Sequence, residues 1–225
     1  MGKILDRLKK DLRFQEGLNA CINCGTCTAI CPAAEFYDYD PRRIVVLVQS
    51  RNEEEIEKLL RSEQIWYCGE CMSCVTRCPR NNAAGLIVMA LRAVSQDLGY
   101  FTESKKGRQQ IALKRAIGEN ILKYGYCVYA RDLMPEAHPE AGTVWEWEHK
   151  NLDDVFARLG GNLDGRGTGI LRKIPQESLD ELKRIFEVTG GFERFENIEN
   201  FSAQKAKEMG LEMGDYIVKT FKGDI

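Results

Sequence analysis

Histidine is scarce: the 225 residues hold only two, and no Ser–His–Asp or Cys–His arrangement for nucleophilic catalysis is visible. Long apolar runs are missing too. Ile44–Val48 and Ala83–Leu91, the latter interrupted by Gly85, are the longest. Both fall well short of the roughly 20 residues that a bilayer helix needs. The first residues, Met1-Gly2-Lys3-Ile4-Leu5-Asp6, are broken by charge and lack the apolar core of a secretory leader. Gly2 is not followed by the Ser or Thr of an acylation signal, so the expected location is the cytoplasm. No charge sign dominates: 32 Lys plus Arg against 34 Asp plus Glu give a net charge of -2. That argues against a nucleic-acid partner held mainly by phosphate neutralisation. No G-x-G-x-x-G joins a strand to a helix, so no flavin or nicotinamide site is expected. The Gly160–Gly169 stretch carries Asp164 and Arg166 without the order of a phosphate loop, and reads as a mobile linker.

Cysteine is what the chain has in excess, nine in all. Eight fall in two tight groups and Cys127 stands alone; the odd total and the missing export signal weaken a disulfide reading. The groups are Cys21-Ile-Asn-Cys24-Gly-Thr-Cys27-Thr-Ala-Ile-Cys31-Pro32 and Cys68-Gly-Glu-Cys71-Met-Ser-Cys74-Val-Thr-Arg-Cys78-Pro79. Both match C-x2-C-x2-C-x3-C-P, the run that holds a [4Fe–4S] cluster in bacterial-type ferredoxins. Three thiolates at this spacing wrap three iron corners from one tight loop. The fourth sits one helical turn onward, and in two-cluster ferredoxins it serves the other cluster. The expected ligands are therefore Cys21, Cys24, Cys27 and Cys78 for one cluster, and Cys68, Cys71, Cys74 and Cys31 for the second. Zinc is the alternative, because four thiolates also suit it. Zinc sites usually use two separated cysteine pairs, whereas here four stand within eleven residues, twice, each run followed by proline. Gly25 and Gly69 are expected to bring backbone close to sulfur or to take positive φ. Pro32 and Pro79 restrict how the chain leaves each loop.

The fold class expected is mainly α: an α-helical ferredoxin module over residues 1–125 with a helical or irregular extension over 126–225. Asp40-Pro41 reads as a helix start, Asn52 with Glu55 as a capping box, and both cysteine runs as entering helices through their fourth cysteine. A buried helix is expected from about Ala83 to Leu98, ended by Gly99, and another from about Lys105 to Tyr124, stopped by Gly125. Pro135 and Pro139 break any helix. Val144-Trp145-Glu146-Trp147-Glu148 alternates with period two, as an extended segment would. Asn151 with Asp154 reads as a capping pair, Pro175 opens a helix striped by Leu179, Leu182, Ile185 and Phe186, and 202–219 is expected to be helical in part.

Among single residues, Cys127 has no adjacent cation to lower its pKa and reads as a small buried side chain. A metal site of Cys127 with His138 and His149 is disfavoured by the long spacers. Arg77 and Arg80 flank Cys78 and can place positive charge near the first cluster, while Asn81 and Asn82 read as caps of the following helix. Trp145 and Trp147 suit a core or a partner surface equally.

With two motifs, an intervening helical segment and a long helix after Pro79, the chain resembles the C-type subunits of heterodisulfide reductase and their bacterial heterodisulfide reductase-like relatives over residues 15–125. The long tail is more similar to the bacterial sulfur-oxidation branch. The resemblance implies two [4Fe–4S] clusters and a non-catalytic relay between a flavin-containing A-type subunit and a disulfide-reducing B-type subunit. It implies no directly bound substrate. An iron–sulfur subunit of a flavin- or quinone-linked dehydrogenase, and a protein that uses its clusters only as folding staples, are the competing readings.

Overall fold

The computed structural model describes residues 3–138 and 141–225; Gly2 and Pro139 lie outside the described residues. Among the described residues the secondary structure is helical, with no strand. Two compact groupings are formed, one by residues 1–111 with 196–225 and the other by 112–195. The boundary expected after residue 125 falls inside the second grouping, and the last thirty residues pack with the first.

The first grouping is organised by the helix Ala84–Asp97, whose Ile87, Val88, Ala90, Leu91 and Val94 are all buried. A helix apolar over so wide an arc must be covered on several sides. Leu8 from Lys3–Lys10, Val48 from Pro41–Gln49, and Ile56 and Leu60 from Glu53–Leu60 join it in one core. Each such side chain contributes roughly 1.5–3 kcal/mol by leaving water. Asp40 accepts from the Arg43 N–H at 3.1 Å with Pro41 in the first turn, as expected. Asn52 accepts from the Glu55 N–H at 3.4 Å, but the expected capping box is only half formed: the Asn52 N–H goes to the Ser50 hydroxyl at 3.3 Å and Glu55 pairs with Lys58. Gly99 ends the buried helix with φ of 79°. A second, smaller core gathers Phe101 and Ile111 with Ile198, Ala206 and Tyr216. The last three come from the helices Gly191–Glu208 and Met213–Lys222, separated at Gly210, so the C-terminus is more helical than the sequence suggests.

Several expectations are corrected. The 105–124 helix is interrupted: short helical pieces cover Lys105–Arg108 and Gln110–Leu113, a π turn covers Lys114–Gly118, and α-helix resumes at Glu119–Tyr124. Gly107 and Gly118 lower helix propensity there, and a Cβ at Gly107 would stand 2.1 Å from the Phe101 carbonyl oxygen. In the second grouping, the tryptophan segment is the helix Gly142–Lys150, not extended chain. A five-residue alternation is too short to fix a period. In the helix the two indoles diverge: Trp145 donates to the Leu133 carbonyl at 2.9 Å, and Trp147 is 58% exposed. Asn151 precedes the helix Leu152–Arg158 without a side-chain cap, because its amide donates back to the Trp147 carbonyl at 2.8 Å.

The glycine-rich stretch closes on itself instead of forming a mobile linker. The Asn162 N–H bonds the Ile170 carbonyl at 3.0 Å, the Lys173 N–H bonds the Gly165 carbonyl at 2.9 Å, and the Asn162 amide holds two further carbonyls at 2.9 Å. Asp164 from this loop pairs with Arg131 at 2.8 Å and accepts from the Tyr129 hydroxyl.

Candidate metal centre

Each cysteine motif folds as the same turn. Asn23 and Glu70 occupy the same motif position and have φ of 60° and 54°; two residues on, Gly25 and Met72 have 83° and 58°. Glycine takes this conformation freely, whereas Met72 takes it at a cost of about 1 kcal/mol. Of the two roles expected for it, Gly69 does not take positive φ, because the register of the turn puts that conformation on Glu70 and Met72. The turn aims donors at sulfur. The Asn23 N–H lies 3.4 Å from Cys21 Sγ and the Glu70 N–H 3.4 Å from Cys68 Sγ. The hydroxyls of Thr26 and Ser73 lie 3.4 Å from Cys24 Sγ and Cys71 Sγ, and these hydrogen bonds pull both thiols below their usual range. Burial pushes Cys27 up to about 11 and raises Cys74 as well. A buried thiolate of this kind needs a cation or metal to compensate it.

Two hollows open between the loops. One is lined by Cys21, Cys24, Cys27 and, from the other motif, Cys78; it measures about 390 Å³ including its open side. The other is lined by Cys68, Cys71, Cys74 and, from the first motif, Cys31, and measures about 370 Å³. The fourth cysteine of each motif thus stands with the first three of the other.

Polar contacts from outside the motifs hold this arrangement. Asn82 is not a helix cap: the helix starts at Ala84, and Asn81 turns the chain with φ of 54° first, so Cys78 does not lead directly into it. The Asn82 N–H reaches Cys78 Sγ at 3.2 Å, and its carboxamide oxygen accepts from the Asn19 N–H at 2.7 Å. Arg80 lines the first hollow and donates to the Ala20 carbonyl at 3.2 Å, whereas Arg77 does not line it. Gln49 clamps the Cys21 backbone from both sides, at 2.6 and 3.3 Å. Arg42 bridges Asn23 at 3.1 Å and Asp40 at 2.8 Å. Burial alone would raise the Asp40 carboxyl, but hydrogen bonds from Arg42, Thr28 and the Arg43 N–H outweigh it and hold the group at about 2. At the second loop, Arg92 of the central helix donates to the Ile65 carbonyl at 2.7 Å and the Cys68 carbonyl at 2.6 Å, and pairs with Glu70. Gly85 lies so close beneath this loop that a Cβ would meet Met72 Sδ at 2.8 Å.

None of Gln49, Arg42 and Arg92 announces itself in the sequence. The one visible signal is the hydroxyl residue before the third cysteine of both motifs, Thr26 and Ser73. Cys127 is exposed, not buried as expected. Among the described residues no three His, Cys, Asp or Glu side chains converge on a single-ion site, so Cys127, His138 and His149 do not form one. The eight motif sulfurs instead stand around hollows. A lone Zn²⁺ draws its sulfurs to about 2.3 Å from one point, whereas a polynuclear body fills a wider ring. Thiolate-forming sulfurs in two sets of four, with N–H donors aimed at Cys21, Cys68 and Cys78 and hydroxyls beside Cys24 and Cys71, fit the donor set of a thiolate-ligated iron–sulfur cofactor.

These features suit a helical iron–sulfur protein, and a family model described as a 4Fe-4S dicluster domain matches residues 16–82. The chain is 33% identical over 210 residues to the C-type subunit of the ferredoxin:CoB-CoM heterodisulfide reductase of Methanosarcina acetivorans, covering 92% of this chain and 76% of that one. It is 28% identical over 145 residues to the C-type iron-sulfur subunit 2 of the CoB–CoM heterodisulfide reductase of Methanocaldococcus jannaschii, covering 62% of this chain and 71% of that one. The C-type iron-sulfur subunit of the same reductase in Methanopyrus kandleri is 28% identical over 125 residues, 56% of this chain and 59% of its own. The chain belongs to the family of heterodisulfide reductase C-type subunits, and its general role is electron transfer in a complex of that kind. No described helix is long and apolar enough to cross a membrane.

Proposed function

We propose that this chain is the relay subunit of a cytoplasmic heterodisulfide reductase or reductase-like complex. It holds one [4Fe–4S] cluster on Cys21, Cys24, Cys27 and Cys78 and a second on Cys68, Cys71, Cys74 and Cys31. The observation that carries this reading is the exchange of fourth cysteines between the two hollows. Clusters so bound supply one-electron transfer. The residues of the chain do the rest. The turns through Asn23 and Glu70 direct N–H groups at sulfur, Thr26 and Ser73 favour the thiolate form of Cys24 and Cys71, and the exchange of Cys31 and Cys78 fixes the two sites side by side. Thiolates fill the coordination set at both sites and leave no position for a substrate, so the chain itself is non-catalytic. Its partners are a flavin-containing A-type subunit and a B-type subunit acting on disulfide or sulfur substrates.

The tail is the ground for placing the chain in the bacterial sulfur-oxidation branch. The Methanosarcina relative aligns over 92% of the chain, so a tail also occurs outside that branch. The test is co-purification of the full chain from its own cells under anaerobic conditions. Stoichiometric A- and B-type subunits, with disulfide reduction that stops when Cys21 and Cys68 are replaced by serine, support the reading. A stoichiometric flavin- or quinone-linked dehydrogenase subunit in their place overturns it.

A further inference from the structure

The two hollows are not lined alike. Arg42, Arg80 and Asn82 line the first, and the Asn82 N–H stands 3.2 Å from Cys78 Sγ. The second has no charged side chain in its lining. Its one polar residue beyond the motif is Tyr39, which is only 3% exposed. The Tyr39 hydroxyl is buried and makes no well-formed hydrogen bond within the protein; Cys68 and Cys31 are its sulfur neighbours. The ring is held in place: Tyr67 meets it edge-on at 6.3 Å, and Tyr67 is itself stacked on Tyr37 at 4.5 Å.

A hydroxyl buried without a partner is costly, and a phenylalanine would fill the same space without that cost. The geometry explains the hydroxyl if an acceptor occupies the hollow. We propose that the Tyr39 hydroxyl donates a hydrogen bond to a cysteine or cluster sulfur in the second hollow and so raises the reduction potential of the cluster there. This rests on the cluster assignment given under Proposed function. A donor aimed at sulfur favours the form that carries one more negative charge, and hydrogen bonds to sulfur are among the factors that set cluster potentials. Thr26 and Ser73 hydroxyls occur equally at both sites and cancel in the comparison. Tyr39 is the donor that the second hollow alone possesses.

The experiment is an EPR-monitored redox titration of the anaerobic, full-length chain as Tyr39→Phe, preceded by iron and sulfide analysis. Signals are assigned to the two sites with Cys78→Ala. The expected result is a second-site midpoint lowered by about 59 mV, a tenfold change in the one-electron equilibrium, with the first-site midpoint unmoved. A difluorotyrosine installed at position 39 keeps the ring and sharpens the donor, and moves the same midpoint upward. This second variant decides the matter if Tyr39→Phe fails to load the second site. Unmoved midpoints, or equal movement at both sites, overturn the inference alone. A wild-type chain that loads only one cluster overturns the assignment and the inference with it.

Discussion

Arg92 gives the sharpest separation between the two sites. Its guanidinium, 18% exposed, holds the Ile65 and Cys68 carbonyls at 2.7 and 2.6 Å and pairs with Glu70, the residue that directs its N–H at Cys68 Sγ. The carbon of the guanidinium also lies 5.5 Å from the centre of the Trp66 ring. Hydrogen bonds to charged groups contribute roughly 1.5–3 kcal/mol each. Arg92→Leu removes two to carbonyls and one ion pair, and frees Glu70 beside the loop, so a loss of about 3–4 kcal/mol is expected at the second loop. The first loop has its own support: there Arg42 bonds Asn23 in the place that Arg92 takes at Glu70. The assay is anaerobic incubation with a ferrous chelator, following iron release and the reduced EPR signal of each site. The second-site signal should decay at least about tenfold faster than in the parent chain, with the first-site signal unchanged. Equal decay of both signals, or no acceleration, would refute the reasoning that this one side chain fixes the second loop.

Cys78→Ala should remove the first-site signal and leave the site bound mostly by the second motif; loss of the signal belonging to Cys68, Cys71 and Cys74 alone would contradict the exchange of fourth ligands. Asp40→Ala deletes a helix cap and the partner of Thr28 and Arg42, and should lower stability in urea by about 1–2 kcal/mol; an unchanged midpoint would show that these bonds are replaced by water. Asp40 titrates below its unfolded value of 3.8, so its stabilisation is complete above that pH and is lost as pH falls through about 2, which acid titrations of parent and Asp40→Ala chains should resolve as a difference that vanishes in acid. Tyr216→Ala empties a fully buried site in the small core with Phe101 and Ile111 and should cost about 3–4 kcal/mol in urea unfolding; a near-neutral effect would mean that the last helix does not pack there.

How far the sequence reveals this architecture depends on the range of the physics involved. The caps at Asp40 and Asn52, the buried helix ended by Gly99, and the helix after Pro175 are legible because each rests on residues a few positions apart. The Gly142–Lys150 helix is not, because alternation over five residues fits either period, and the side-chain bond from Trp145 to Leu133 is not written in the pattern. The ordered glycine loop is hidden because its organiser, Asn162, works by bonding carbonyls four and six residues away. At the candidate centre, the eight cysteines are legible from spacing, whereas their supports are not. Asn82 to Asn19, Gln49 to Cys21 and Arg92 to Cys68 are contacts over 24 to 63 residues, and only the folded chain brings them together. Asn81 and Asn82 read as caps for the same reason: an asparagine before a helix is a cap by local rule, and a sulfur neighbour is visible only in three dimensions.

The central claim is that two sets of four cysteines, each completed by the other motif, hold two neighbouring iron–sulfur clusters. Iron and sulfide analysis of the anaerobically purified chain, with low-temperature EPR before and after reduction, tests it most directly. About eight irons and eight sulfides per chain, with a reduced spectrum broadened by coupling between two adjacent spins, is the expected result. Zinc in place of iron, or about four irons with a single isolated signal, would contradict it.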